Sequence, residues 1–191
     1  MDKVIWFLKT NLFLRIRIKK IGLLSYIGSP IHLYGGNRIF IGNRVRIFPG
    51  SRMETHHNGI IEIAGNVSIG QNLHLISSNE RLKICKDTTI SGNVFITNID
   101  HDYTEPGIHI LDQKYIVKTT LIGENCFIGY GAVIQAGTIL GKQCVVGANS
   151  VVRGTFPDYS VIVGAPARVV KRYNEKTRSW EKTDSYANFI S

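Results

Sequence analysis

A parallel β-helix, an all-β solenoid with short helical or irregular appendages at both ends, is the fold this sequence predicts. Three observations predict it. Ile122, Ile128, Ile134, Leu140, Val146 and Val152 stand six residues apart, a period that neither a helix nor an alternating strand has. The residue after the aliphatic is small at Gly123, Gly129, Gly141 and Gly147, as a tight corner requires. Four positions after each aliphatic come Cys126, Ala132, Thr138, Cys144, Ser150 and Phe156, mostly compact, as the second inward position of a narrow prism should be. If each unit is one short strand and a turn, three units close a triangular coil of about 18 residues, and every coil buries its neighbour's core.

The elements follow in order along the chain. Residues 1–30 form a basic amphipathic segment, in which Lys3, Lys9, Arg15, Arg17, Lys19 and Lys20 are interspersed with Ile5, Trp6, Phe7, Leu8, Leu12, Phe13 and Leu14. Two roles fit it: a terminal helix that caps the open end of the solenoid, and an element lying on an anionic membrane surface, for which residues 1–24 are the candidates. Residues 31–172 form the solenoid, whose phase recurs upstream at Ile41 and Ile47, at Ile63, Ile69 and Leu75, and at Ile84, Ile90 and Ile96. Ser51–Ile60, Ile76–Lys83 and Ile99–Thr120 break the phase and are expected to be loops, the last an inserted active-site loop of about 99–120. Residues 173–191 form a C-terminal tail.

Length and composition fit one domain of 191 residues with no low-complexity run. Three cysteines argue against a disulfide framework. Cys126 and Cys144, one coil apart, are expected in the core, where a thiol is inert. The formal charge of +9 lies mainly at the two ends. Val4–Leu8, the longest apolar run of the first segment, is too short to span a membrane, which predicts a cytoplasmic protein, with the inner face of the cytoplasmic membrane as its place of contact. The basic residues are not interleaved with aromatics along a repeating face, so nucleic-acid binding is not expected.

The chemistry is sought where the insertion begins, at Asn98-Ile99-Asp100-His101-Asp102-Tyr103. An imidazole between carboxylates is a general base suited to neutral pH, because a partner that holds one ring nitrogen leaves the other free to accept a proton. Asp100 and Asp102 flank the ring, of which at most one is expected to face it; Asp102 is favoured, with Glu124 as a cross-coil candidate. His56, His57, His74 and His109 are further histidines that could touch an acceptor.

These motifs, the repeat from Ile122 to Ala132, the ending Gly147–Val152 and Val163-Gly164-Ala165-Pro166-Ala167-Arg168 resemble the hexapeptide-repeat acyltransferases, over roughly Ile39–Arg172. Within that family the resemblance is to sugar O-acetyltransferases of bacterial surface polysaccharide and lipopolysaccharide assembly. It implies a left-handed β-helix and a homotrimer with acetyl-CoA lying along the coils between subunits. It also implies His101 as the base that activates an acceptor hydroxyl, with no covalent acyl-enzyme and no metal. The acceptor would be a glycan or a lipid-linked sugar. Phe127, Gly129, Gly131, Gly147 and Ala148 match positions that line the pantetheine arm, and Arg153, Arg168 and Lys171 are the cations for the cofactor phosphates. Many relatives carry Trp where this chain has Phe127, which keeps an apolar wall and loses the indole donor. Acylation of an amino sugar or of a small hydroxyl compound, a non-catalytic scaffold, and a zinc site between subunits like that of the gamma-type carbonic anhydrases are the rival readings. The last needs three His ligands.

Overall fold

Every aliphatic of the six-residue ladder is buried, and the register shows why: Ile122 stands on Leu140, Ile128 on Val146 and Ile134 on Val152, each 18 residues apart on adjacent parallel strands. The computed structural model describes residues 2–184 and 186–190. Met1, in the expected N-terminal segment, and Ser185 and Ser191, in the expected tail, lie outside the described residues.

Among the described residues the prism has three faces, of seven, nine and six strands. Face A runs from Lys20–Ile21 to Thr155–Phe156, face B from Tyr26–Ile27 to Ser160–Gly164 and beyond, and face C from His32–Tyr34 to Val151–Val152. The chain visits A, B and C in turn, so each coil has an A/B, a B/C and a C/A corner. Its strands pair in parallel with those of the coils before and after, as a β-solenoid requires.

The corners set the spacing. A Cβ added to Gly42 would lie 2.7 Å from the backbone of Ala64 and Gly65 in the next coil. One added to Gly129 would lie 2.6 Å from the Ala148 nitrogen. The glycines are therefore demanded by the coil stacked above as well as by the turn itself.

The upstream phase breaks differently from the expectation. Ile21 pairs with Ile41, Ile41 with Ile63 and Ile63 with Ile84, so these coils take 20 to 22 residues. The extra length lies partly in strands: Arg52–His56 and His74–Ser78 pair over their full five residues. Ser51–Ile60 and Ile76–Lys83 are thus lengthened edges of the prism with short turns. Only Ile99–Thr120 leaves it, as an antiparallel arm in which Ile99–His101 pairs with Tyr115–Val117.

The arm pivots on Asn98, whose side chain is fully buried. Its Oδ1 accepts from the Ser78 N–H at 2.9 Å, its Nδ2 donates to the Ser78 carbonyl at 3.1 Å, and its own carbonyl accepts from the Lys118 N–H at 2.9 Å. One amide thus satisfies backbone that the departing chain would leave unpaired.

Both ends are closed. Helix α1 (Asp2–Leu12) sets Thr10 against the terminal strand of face B, where its hydroxyl accepts from the Ile27 N–H at 2.8 Å and donates to the Ile27 carbonyl at 3.2 Å. Arg15 donates to the Ile21 carbonyl of face A at 2.9 Å, and Trp6 packs on Tyr26 and Phe48. The first segment thus caps the edges of faces A and B, where groups that would template another strand are occupied. The C-terminal tail departs from the expected irregular appendage. Ala167–Asn174 and Ser179–Lys182 add antiparallel strands to face B, and the solenoid boundary placed at residue 172 falls inside the first of them.

Two substitutions test this scheme. Gly42→Ala should destabilise by about 1–3 kcal/mol through overpacking, measured by urea unfolding. Gly65→Ala, whose Cβ would meet nothing closer than 3.4 Å, should lose clearly less. Asn98→Ala should cost about 1–3 kcal/mol by leaving the Ser78 peptide groups unpaired, and should speed amide exchange between residues 99 and 117 more than in the coils.

Candidate active site

The arm projects His101 into solvent at the C/A corner. The ring lies edge-on to Tyr115, centroids 4.9 Å apart, because the two residues are cross-strand partners. Among the described residues neither ring nitrogen of His101 has a protein hydrogen-bond partner.

The three carboxylates considered for it go elsewhere. Asp102 closes a local turn, accepting from the Thr104 N–H at 3.0 Å and the Thr104 hydroxyl at 2.8 Å. Those bonds, the hydroxyl's first, hold its carboxyl below the usual range, so it stays ionised beside His101 without touching it. Asp100 pairs with Arg153 at 2.7 Å, tying the arm to the last coil. Glu124 lies at the A/B corner facing Lys86 at 3.7 Å, away from the C/A corner from which the arm leaves.

The residues expected to line a cofactor fall into two groups. Phe127, 46% exposed on face B, stands beside the B/C corner formed by Gly129 and Gly131, with Gly147 and Ala148 one coil on. Gly131 has φ +69 and would set a Cβ 2.2 Å from Asn149 Oδ1, so position 131 itself must stay without a side chain, while Tyr130 beside it is exposed. Arg153 is at the C/A corner with His101. Arg153 and Arg168, with Arg172, border one cleft of about 440 Å³ at the C-terminal end. Lys171 does not line it and stands opposite Val161 and Lys182 on face B. Arg168 donates only to the neighbouring Ala167 carbonyl among the described residues, which leaves most of its guanidinium available. One chain therefore does not bring His101 to Phe127: face C lies between their corners.

Face C holds a cluster of which the sequence reading named only parts. Glu54, 5% exposed, accepts from Arg52 and lies 2.9 Å from His56 Nε2 and 4.0 Å from His32 Nε2. Burial pushes its carboxyl up, but the hydrogen bonds and charges of Arg52 and His56 outweigh that and leave it below the ordinary range. His74 faces the same group, and its Nε2 is buried without a partner among the described residues. Burial first, then the Arg52 charge, hold its pKa down, so it is neutral at pH 7. His56 stands opposite Ser78, the residue Asn98 holds, so cluster and arm share one edge of the face. The alternation Arg52-Met53-Glu54-Thr55-His56 is the signal that could have revealed it, since strand residues two apart share a face. The other named histidines are occupied locally or turned away: His109 accepts from the Leu111 N–H at 3.2 Å, and His57 sits in a turn at φ +48.

The remaining predicted groups are structural. Cys126 and Cys144 donate to the carbonyls of Gly141 at 3.2 Å and Pro157 at 3.3 Å, and the contact with Cys144 and burial push the Cys126 thiol up. Among the described residues no group of three or more His, Cys, Asp or Glu is placed to hold a metal ion. No helix among them is long and apolar enough to cross a membrane.

Comparison with known proteins agrees with this architecture. Residues 120–153 match the model of the hexapeptide repeat of succinyl-transferase. The chain is 34% identical over 167 residues, 82% of its length and 83% of the relative's, to the putative lipopolysaccharide biosynthesis O-acetyl transferase WbbJ of Escherichia coli. It is 33% identical over 122 residues, 60% of its length and 58% of the relative's, to the galactoside O-acetyltransferase of the same species. AntD, an N-acyltransferase from Bacillus cereus solved in complex with dTDP and 3-hydroxybutyryl-CoA, has the same fold: TM-score 0.73 at 19% identity, over 88% of this chain and 90% of that one. The stacked hexapeptide coils, the His-bearing arm and a relative aligned along most of both chains make this protein a member of the hexapeptide-repeat acyltransferase family.

Proposed function

We propose that the protein transfers an acetyl group from acetyl-CoA to a sugar hydroxyl of a bacterial surface glycan or its precursor, with His101 as general base. The observation that carries the reading is an imidazole with both nitrogens unengaged, presented by a hairpin arm that an anchored asparagine and the Asp100–Arg153 pair hold at a fixed corner. The choice of oxygen over nitrogen as acceptor is supported by the likeness to the lipopolysaccharide O-acetyl transferase.

The acceptor hydroxyl gives its proton to His101 as its oxygen attacks the thioester carbonyl. The tetrahedral oxyanion collapses, the C–S bond breaks, and the imidazolium returns the proton to the leaving sulfur. Asp102, ionised and adjacent, favours the transient imidazolium through its charge. A positioned base supplies about 10²–10⁴-fold in rate, and orientation of the two substrates supplies much of the rest.

Phe127 and the corner of Gly129, Gly131, Gly147 and Ala148 form the wall for the pantetheine arm, and Arg168 meets the phosphates. Arg153 can join them only by leaving Asp100. Because His101 and that wall belong to different corners, the site is completed by a second copy, which favours the homotrimer. The arm's exposed Ile108, Ile110, Leu111 and Tyr115 suit a surface that a neighbouring copy covers. The Glu54 cluster on the intervening face, with hydrogen-bonding groups of both kinds, is the place for the acceptor's hydroxyls.

Thiol release from acetyl-CoA, measured against sugars, amino sugars and lipid-linked glycans, tests the reading. Hydroxyl acceptors should sustain turnover, and His101→Ala should lower it by about 10²–10⁴-fold with the fold and CoA binding intact. Release with amino sugars alone would replace O- by N-acylation, and absence of CoA binding would overturn the reading. Arg168→Ala should raise KM for acetyl-CoA more than it lowers kcat, and an unchanged KM would remove Arg168 from the phosphate site.

A further inference from the structure

The side of helix α1 turned away from the prism is apolar, although Asp2, Lys3 and Lys9 are exposed elsewhere on it. Thr10, with half-buried Trp6 and Phe7, turns to the prism. On the opposite side stand Val4, Ile5, Leu8 and Leu12, all exposed, followed by exposed Phe13 and by Ile16, which is 84% exposed. A surface helix ordinarily sets charged or polar residues there, and a contiguous exposed apolar stripe marks an interaction surface.

The first A/B corner repeats the anomaly independently. In the later coils this corner offers Asn43-Arg44, Gly65-Asn66, Lys86-Asp87, Glu124-Asn125, Lys142-Gln143 and Asp158-Tyr159, whose second residue takes the left-handed conformation and, half-buried Tyr159 apart, is a polar residue that tolerates it. In the first coil the same two positions are Leu23 and Leu24, 71% and 68% exposed, with Leu24 at φ +56. Leucine is disfavoured there by sterics and by exposure at once, a combination that folding alone does not select.

Charge accompanies the apolar surface. Residues 2–53, the cap and the first coils, hold ten Lys and Arg against one acidic residue, Asp2, which equals the whole formal charge of +9. The rest of the chain sums to zero, with thirteen of each sign. The capped end thus carries a charge equal to that of the whole chain, and it is the end that exposes leucines.

We propose that the capped end of the solenoid is a docking surface for an anionic lipid bilayer. α1 lies in the interface with Val4, Ile5, Leu8 and Leu12 inserted beside Leu23 and Leu24, and Lys9, Arg17, Lys19 and Lys20 meet the headgroups. The occupant is a bilayer and not a protein because the apolar stripe is bordered by a one-sign field over the whole end, and a second copy would bring the same charge to it. This does not depend on the acyl-transfer reading, since binding is read without turnover.

The test is flotation of the full chain with vesicles of phosphatidylcholine alone and with about 30% phosphatidylglycerol, at low and high salt. Expected are binding to the anionic vesicles only, weakening with salt, and a loss of about tenfold or more in Leu8→Ser/Leu12→Ser. Leu24→Asn separates docking from folding, because asparagine suits φ +56: it should weaken binding while leaving thermal stability unchanged or higher. Absence of binding to anionic vesicles, or binding unchanged in both variants, would overturn the proposal. So would self-association that the same variants abolish without any vesicle binding, which would give the face to a second copy.

Discussion

Parallel stacking of one coil directly on the next is the constraint on which everything else in this molecule depends. Each strand is only two to five residues long over most of the prism, so no single coil can bury its aliphatics. Stability comes from the continuous column that Ile41, Ile63, Ile84, Ile122 and Leu140 build on face A, with its counterparts on the other two faces. Corners such as Gly42, Gly129 and Gly147 must accept the backbone or side chain of the next coil at a distance that excludes a Cβ, which makes the glycine positions as restrictive as the aliphatic ones.

That constraint leaves chemistry two places: the outer surface of the faces and chain inserted at a corner. Both are used. The arm after Thr97 carries His101, and outward positions of Arg52–His56 and His74–Ser78 carry the polar cluster around Glu54. A rigid prism holds such groups in register over several coils, so small residues at one corner and a base at another are fixed relative to each other. Asn98 and the Asp100–Arg153 pair are the means by which an exposed arm shares that rigidity.

A solenoid also has ends, and unpaired strand edges there are a hazard. At the C-terminal end the chain adds antiparallel strands to face B, while at the N-terminal end Thr10 and Arg15 satisfy edge carbonyls and an edge N–H. The cap could have done this with a polar outer face. Its leucines and its one-sided charge are therefore additional to what closure requires, and they distinguish this end from the neutral remainder.

The six-residue period is written directly in the sequence because a single inward side chain per strand repeats with the strand itself. Fold class, core positions and the inserted arm were legible for that reason, as was the burial of Cys126 and Cys144. Coil length upstream was not, because two extra residues can lengthen a strand as easily as a turn, and only pairing across coils decides which. Nor were the partners of His101 legible: Asp102 neighbours it in sequence but bends to Thr104, and Asp100 is drawn to Arg153, which stands 53 residues along the chain. The separation of His101 from Phe127, the gathering of His32, His56 and His74 near Glu54, and the turning of a leucine-rich face outward belong to the tertiary structure alone. Each depends on which corner or face a residue occupies, and that is set by stacking between coils, which local sequence does not encode.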